Sequence, residues 1–164
     1  MTPQRSKHGR NRLGSYRQIH ETVMQWFVRE GFVLADELVF RDVGRSALVI
    51  EGGRQCLGDV RIDVHKLLRV WGGEGPDAEV QTIEYSYNVV VDGIGNRLRY
   101  DSAHLSHNPY HHVHRYDVLA GDKDGTVTPL HLEDEVPTLG EVLAEVRAWY
   151  FEHSDRIEAA RKRR

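Results

Sequence analysis

The regular alternation of apolar and polar residues over residues 83–91 constrains the fold of this chain more than any other feature. Its apolar members, which would share one face of a strand, are Ile83, Tyr85, Tyr87, Val89 and Val91. A period of two residues predicts a strand with one buried face. Residues 92–96 supply the Asp, Gly and Asn that suit a tight turn, and residues 97–101 resume as the second arm of a hairpin. The centre of the chain is therefore predicted to be antiparallel sheet.

Other segments extend this predicted sheet on both sides. The glycine-rich segment 72–77 is the strongest break in the chain and would separate two strands. A turn is expected between Gly121 and Gly125. Further strands are predicted at residues 32–40, at 46–51, at 58–64 with a less regular continuation to Trp71, and at 111–119.

Two segments with helical spacing flank the strands. Ser15 opens a predicted helix over residues 15–30 with a capping-box pattern, and Gly31 is suited to end it. Thr138 opens a second helix over residues 138–152 with the same pattern. The stripes expected to pack on the sheet are Ile19, Val23, Trp26 and Phe27 in the first helix, and Leu139, Val142, Leu143, Val146, Trp149 and Tyr150 in the second.

This order of elements predicts an α+β fold, a mainly antiparallel sheet with an N-terminal and a C-terminal amphipathic helix. The 164 residues suit one domain, expected over residues 15–152. Residues 1–14 are predicted to be a disordered basic N-terminal tail, and residues 153–164 a basic C-terminal tail. The body between them is mildly acidic, so the net charge is only −3. Basic ends of this kind suit binding to phosphate groups or to an acidic partner.

Several classes of protein are excluded by the sequence. Cys56 is the only cysteine, which rules out an internal disulfide framework and a cysteine-rich zinc site. No apolar run has the length of a membrane span, so we expect no membrane association. We expect a cytoplasmic location, which the single cysteine fits. Phosphate-cradling loops of the Walker and GxGxxG types and the GxSxG nucleophile elbow do not occur.

The highest concentration of ionisable side chains in the chain is a histidine cluster at residues 104–114. Five of the ten histidines fall in these eleven residues, and arginines, tyrosines and a carboxylate stand beside them. On a strand, His112 and His114 would point to one face together with Tyr116, and His111 and Arg115 to the other. The sequence does not say which face lines a cleft.

This mixture suits cleavage of RNA without a metal ion. The reaction needs a base for the 2′-hydroxyl proton, an acid for the leaving 5′-oxygen and a cation for the phosphate. Imidazole titrates near neutral pH and can serve as either acid or base, so His112 and His114 are predicted to be the acid–base pair. Arg99 or Arg115 would hold the phosphate. Tyr100 or Tyr110 would orient it.

Two other interpretations of the cluster remain open. His112 and His114 could chelate a metal ion, with His104, His107 or Asp101 completing the set, and activate water for hydrolysis. The protein would then be a metal-dependent nuclease or hydrolase. Alternatively, the histidines could only form local hydrogen bonds in a polar loop, and the protein would be a non-catalytic nucleic-acid or protein binding module of a defence complex.

Residues 80–151 resemble the TumE family of toxin components of toxin–antitoxin systems. The resemblance rests on the tyrosine-rich strand with Tyr85 and Tyr87, the run Arg99-Tyr100-Asp101, the run His111-His112-Val113-His114 and the closing amphipathic helix. It implies a small α+β toxin that acts on RNA and is held inactive by a cognate antitoxin protein. The polar residues that match the family best are Tyr100, Asp101, His112 and His114. His111 stands where an acidic residue is expected, and the N-terminal helix and residues 33–50 are additional.

Together these observations predict a toxin that is a metal-independent endoribonuclease without a cofactor, with RNA and an antitoxin as partners. The predicted catalytic residues are His112, His114, Tyr100, Asp101 and Arg99. The predicted substrate-binding residues are Arg97, Arg115, His104, His107, His111 and Tyr110.

Overall fold

The computed structural model describes residues 7–102, 111–131 and 133–163 and has the predicted α+β fold, with a mainly antiparallel sheet of nine strands and one helix near each end. In chain order the elements are β1 (Asn11–Arg12), α1 (Leu13–Arg29), β2 (Val33–Asp36), β3 (Val39–Val43), β4 (Ala47–Cys56), β5 (Val60–Trp71), β6 (Glu79–Val91), β7 (Gly95–Ser102), β8 (His111–Arg115), β9 (Thr126–Pro129) and α2 (Leu139–Lys162). No helix among the described residues combines the length and the apolar character needed to cross a membrane.

The strands follow one another across the sheet as an antiparallel meander. The order is β2-β4-β5-β6-β7-β8-β9, and β3 pairs with the same edge of β4 as β2 does. β5 and β6 are the longest strands, with 12 and 13 residues, and they form the spine of the sheet. β1 pairs with the start of β6, beyond the point where β7 ends. Sequential pairing of this kind needs only short connections.

The sheet has two faces of different character because successive side chains on a strand point to opposite sides. Both helices pack on one side, which we call the covered face. Its core is formed by residues such as Ile62, Val64, Tyr87, Val89 and Leu98 of the strands with Val142, Leu143 and Val146 of α2. The opposite side, which we call the open face, carries polar residues such as Arg61, His65 and Arg99, and no helix of the described chain packs on it.

Helix α1 begins earlier than predicted and is capped differently. It starts at Leu13, and Ser15 lies inside the helix, so the expected capping box at Ser15 is wrong. The first N–H groups are satisfied from outside the helix, since Leu13 N donates to the carbonyl of Ala78 at 2.7 Å and Gly14 N to that of Pro76 at 2.8 Å.

The buried stripe of α1 also differs from the prediction. Leu13, Met24 and Phe27 are buried, whereas Ile19 and Trp26 are 61% and 41% exposed. The side of the helix that faces the sheet includes the polar aromatic residues Tyr16 and His20, which an apolar pattern does not detect.

Helix α2 confirms its predicted start and continues past its predicted end. Thr138 and Glu141 form the complete capping box. The helix extends to Lys162, so most of the segment predicted to be a C-terminal tail is helical. Ile157 is 1% exposed, and Arg161 donates to the carbonyl of Gly58. These two anchors hold the last turns of the basic helix against the sheet.

The strands differ from the predictions mainly at their ends. The run predicted at 32–40 forms two strands, β2 and β3, because the chain bends at Glu37 where its carbonyl approaches Gly52, which has φ +139°. A side chain at Gly52 would collide with that carbonyl. β8 ends at Arg115, and a 3₁₀ turn at Val118–Ala120 replaces the end of the strand predicted at 111–119. At the N-terminus, Asn11–Arg12 form β1 within the segment predicted to be disordered.

Candidate functional site

The hairpin of β7 and β8 carries most of the predicted site residues. Its register pairs Asp101 with His112, Tyr100 with Val113 and Arg99 with His114. Residues directly opposite each other in an antiparallel pair share a face, with Cβ atoms about 4.5–5.5 Å apart. The hairpin therefore divides the predicted residues between the two faces of the sheet. His104, His107 and Tyr110 lie in the connection 103–110, outside the described residues.

The open face brings together four of the five predicted catalytic residues. His112 and His114 are two residues apart on β8, and their ring centroids are 4.9 Å apart with the planes at 71°. Arg99 and Asp101 lie opposite them on β7 and form an ion pair with N–O distance 2.5 Å. We call these four residues the open-face cluster. Tyr116 extends it, since its ring lies parallel to that of His114 at 6.5 Å.

The surroundings of His114 in the open-face cluster lower its pKa. Partial burial lowers the pKa of His114, and His112 and Arg99 lower it further, with Asp101 acting in the opposite direction. His114 is therefore a neutral imidazole at pH 7 that can accept a proton. The Nδ1 atom of His112 is buried and has no hydrogen-bond partner among the described residues. Unpaired buried polar atoms are rare in proteins and are often completed by water, an ion or a ligand.

Asp101 fixes the guanidinium of Arg99 beside the two rings. A guanidinium has five N–H donors, and one carboxylate uses only part of them. Arg99 is half exposed, so its remaining donors are accessible to a phosphate from the solvent side. The cluster thus offers two proton-exchanging groups and one oriented cation on an accessible surface.

Tyr100, also predicted to be catalytic, lies on the covered face. Its hydroxyl donates to Glu145 Oε2 of α2 at 2.8 Å and accepts from Arg115 at 2.8 Å, and Arg115 also pairs with Glu145. Burial raises the pKa of Tyr100 to about 12, and the neighbouring Glu145 adds to the effect. Tyr100 is thus a neutral phenol that ties the sheet to α2, and the sheet separates it from His112 and His114.

The predicted substrate-binding arginines Arg97 and Arg115 also lie on the covered side. Both line a groove of about 650 Å³ between the sheet and α2, to which Trp149 and Glu145 contribute. The guanidinium of Arg97 lies 5.1 Å from the centre of the Trp149 ring. Burial lowers the pKa of Arg97, and Arg115 lowers it further. Since these cations are bound to α2, they do not join the open-face cluster.

His111 occupies a third location. It lies on the covered face, where its ring stacks on Tyr85 with 5.7 Å between centroids, and its Nδ1 lies 3.2 Å from the Tyr85 hydroxyl. Burial lowers its pKa, with smaller effects from His8 and His112. His111 lines a small cavity together with His8 and His131.

Sequence reasoning missed a cavity on the covered face, beneath α1, that is partly open to solvent. Lys66 lines it and donates to the hydroxyl of Tyr16, and Tyr87 stands beside both. Lys66 carried a usable signal, since it occupies the inward position of β5 after Val60, Ile62 and Val64 and before Leu68. A charged residue in an apolar alternation marks either a paired ion or a site.

No three His, Cys, Asp or Glu side chains within residues 7–102, 111–131 and 133–163 are grouped so that they could hold a metal ion. No protein-family model, curated protein or solved structure matches this chain significantly.

Proposed function

We propose that the protein is a metal-independent endoribonuclease whose chemistry takes place at the open-face cluster. The observation that carries this proposal is the contact between the His112 and His114 rings beside the ion-paired Arg99. Cleavage of RNA by its own 2′-hydroxyl needs a base, an acid and a phosphate-binding cation within a few ångströms of one another. The cluster supplies all three from two adjacent strands.

In this mechanism His114 is the base and His112 is the acid. Neutral His114 takes the proton of the 2′-hydroxyl, and the oxygen attacks the adjacent phosphorus. The bond from phosphorus to the 5′-oxygen breaks, and protonated His112 gives its proton to that oxygen. The products are a 2′,3′-cyclic phosphate and a 5′-hydroxyl. Arg99, oriented by Asp101, binds the phosphate oxygens as negative charge develops on them.

An exposed sheet surface suits a single-stranded substrate, whose bases and phosphates are accessible. The open face continues from the cluster across Ser86 and Asn88 of β6 to Asp63 of β5. This polar surface is wide enough for several nucleotides, since neighbouring strands lie about 4.8 Å apart.

The biological role that fits this activity is that of a toxin of a toxin–antitoxin system acting on cytoplasmic RNA. The support is the resemblance of residues 80–151 to TumE toxins, whose best-matched polar residues include three members of the open-face cluster, Asp101, His112 and His114. A cognate antitoxin protein would restrain the activity.

The test compares purified protein with a double variant, His112→Ala with His114→Ala, on a fluorescently labelled single-stranded RNA and its DNA counterpart in the presence of EDTA. We expect the parent to cut the RNA to a cyclic phosphate product, to leave the DNA intact, and to lose this activity in the double variant. His65→Ala is the matched control. His65 lies on the same face in the row that runs through Ser86 and Asp101 to His112, three strands and about 14 Å away.

Expression of the same variants in a bacterial host tests the toxin role. Growth arrest by the parent and by His65→Ala, with normal growth for the double variant, is the expected result. A double variant that cuts RNA like the parent refutes the assignment of the acid and the base. Loss of cleavage upon EDTA addition refutes metal independence.

A further inference from the structure

The cavity beneath α1 is lined by four parts of the chain and is partly open to solvent. Its floor is the covered face of β5 and β6, and α1 forms one wall. The N-terminal residues 7–9 and the start of α2 at Thr138–Gly140 line the rest. Its volume is about 180 Å³. Cavities of roughly 150 Å³ hold a molecule of the size of benzene, so this one is large enough for a small organic ligand.

The lining of this cavity is positively biased. Lys66 and Lys7 contribute ammonium groups, and no Asp or Glu is among the described residues that line it. The charge of Lys7 is already compensated, because its Nζ lies 3.0 Å from Glu141 Oε2 and donates to the carbonyl of Asp134 at 2.8 Å. Lys66 is different, since no carboxylate of the described chain forms an ion pair with it. Its neighbours are the phenols of Tyr16 and Tyr87.

Lys66 is held in its charged form with capacity for another acceptor. Burial opposes its charge, but the interactions with Tyr87 and Tyr16 outweigh this and raise the pKa of Lys66. An ammonium has three N–H donors, and the two phenol oxygens can accept two of them. A buried cation without a counter-ion is costly, and an anion in the cavity would remove that cost.

The remaining walls are apolar or neutral. Ile19, Val23 and Met24 of α1 face Val80 of β6 and Leu139 of α2 across the cavity. His20 does not add charge, because burial, together with Arg54 and Lys66, lowers its pKa to about 4. No arginine is among the described residues that line the cavity, so the bidentate guanidinium pairing that favours a phosphate is missing from this lining.

We propose that this cavity is a binding site for a small organic carboxylate, with the carboxylate on Lys66 and the Tyr16 and Tyr87 hydroxyls and an apolar body against α1. A single ammonium flanked by phenols pairs well with one carboxylate, and the apolar walls select a ligand with a hydrocarbon or aromatic body. The ligand would lie on the covered face of the sheet, whereas the open-face cluster lies on the other.

The test uses benzoate as the probe, in isothermal titration calorimetry with the full chain at pH 7.5. Benzamide is the neutral isostere, and inorganic phosphate is the anion without an apolar body. We expect benzoate to bind at one site, with an affinity at least about tenfold higher than that of benzamide or phosphate, because a charge-assisted hydrogen bond is worth about one to two factors of ten. Lys66→Met should lower the benzoate affinity at least about tenfold and bring it close to that of benzamide.

Lys123→Met is the matched control, since Lys123 is exposed in the turn at Gly121–Gly125 and should leave the affinity unchanged. If Lys66→Met does not fold, Lys66→Arg and the three probes on the parent protein still decide the question. Equal binding of benzoate and benzamide overturns the role of Lys66. Stronger binding of phosphate overturns the carboxylate class, and no binding of benzoate at about 10 mM, a concentration at which even very weak sites fill, overturns the site.

Discussion

The two faces of the sheet place similar polar residues in different surroundings. On the covered face, Tyr100 and Arg115 are drawn into a network with Glu145 of α2. On the open face, Arg99 and His114 are the immediate neighbours of these residues in sequence, yet their side chains contact Asp101, His112 and Tyr116 of the same face. A shift of one residue along a strand thus separates a group that holds the fold together from one that is available to a substrate.

The comparison shows why a dense polar segment need not form one site. Burial on the covered face gives Tyr100 a high pKa and removes it from proton exchange at neutral pH. On the open face, by contrast, Arg99 is about half exposed to solvent. Mutations on the covered face should therefore lower the free energy of unfolding, whereas mutations in the open-face cluster should lower the rate of RNA cleavage.

The largest expected difference is between His114 and His111, which lie on the same strand but on opposite faces. His114→Ala should lower the RNA cleavage rate by about 100- to 10,000-fold, the usual range for loss of an acid or base, and change the free energy of unfolding by less than about 0.5 kcal/mol. His111→Ala should leave the rate nearly unchanged and cost about 1 kcal/mol, because it removes the ring contact with Tyr85. Single-turnover kinetics and urea unfolding measure both. Equal rate losses in the two variants would contradict the division by face.

Next in size is the contrast between Leu143 and Val127. Leu143 of α2 is fully buried on the covered face, and Leu143→Ala should lower the free energy of unfolding by about 2–5 kcal/mol. Val127 on β9 lies across from His114 and is 54% exposed, so Val127→Ala should change the free energy of unfolding by less than about 0.5 kcal/mol. Urea titrations followed by circular dichroism give both values. A large loss at Val127 would mean that the open face is covered in solution.

A smaller effect is expected from acid on the covered face. His20 has an ordinary pKa of 6.5 and a folded-state pKa of about 4, caused first by burial and then by Arg54 and Lys66. The unfolded chain binds the proton more readily, so this contribution to stability is complete above pH 6.5 and is lost as the pH falls towards 4. The loss should be about 1–3 kcal/mol, with solvent screening of the partly exposed ring favouring the lower end.

Urea unfolding of the parent and of His20→Gln between pH 7 and pH 4 isolates this contribution, since glutamine can accept from Arg54 without titrating. The two proteins should be most alike in stability near pH 7, and the parent should lose stability relative to His20→Gln as the pH falls towards 4. Parallel curves over the whole range would show that His20 titrates equally in the folded and unfolded chains.

The smallest predicted effect concerns Tyr100. Tyr100→Phe removes the hydroxyl that bridges Glu145 and Arg115 and should cost about 1 kcal/mol of stability, because both partners are partly exposed and can be solvated instead. The cleavage rate should stay within about threefold of the parent, since the hydroxyl lies on the other side of the sheet. If the cleavage rate of a fully folded Tyr100→Phe variant fell 100-fold or more, Tyr100 would have to take part in catalysis.

Local patterns in the sequence predicted some parts of the molecule well. The capping box at Thr138 and the alternation over residues 85–91 appear as expected, since each depends only on residues close in sequence, whereas a shift in the pairing with β5 takes Ile83 out of the buried row. Ser15 is not the cap because the helix begins two residues earlier, where Leu13 N and Gly14 N donate to the carbonyls of Ala78 and Pro76, some sixty residues away. The apolar stripe of α1 failed for a related reason, since its inner side pairs Tyr16 with Lys66 and His20 with Arg54.

By itself, the amino-acid sequence determined the alternation along the central strands, the hairpin of β6 and β7, and the placement of His112 and His114 on one side of a strand. These follow from backbone geometry, which repeats every two residues in a strand whatever surrounds it. Only the tertiary structure decided which face α1 and α2 cover, and so which residues of β7 and β8 are buried against α2. It also placed Lys66 in a cavity beneath α1. Burial depends on contacts between distant segments, and burial determines whether an ionisable group holds the fold or remains free to react.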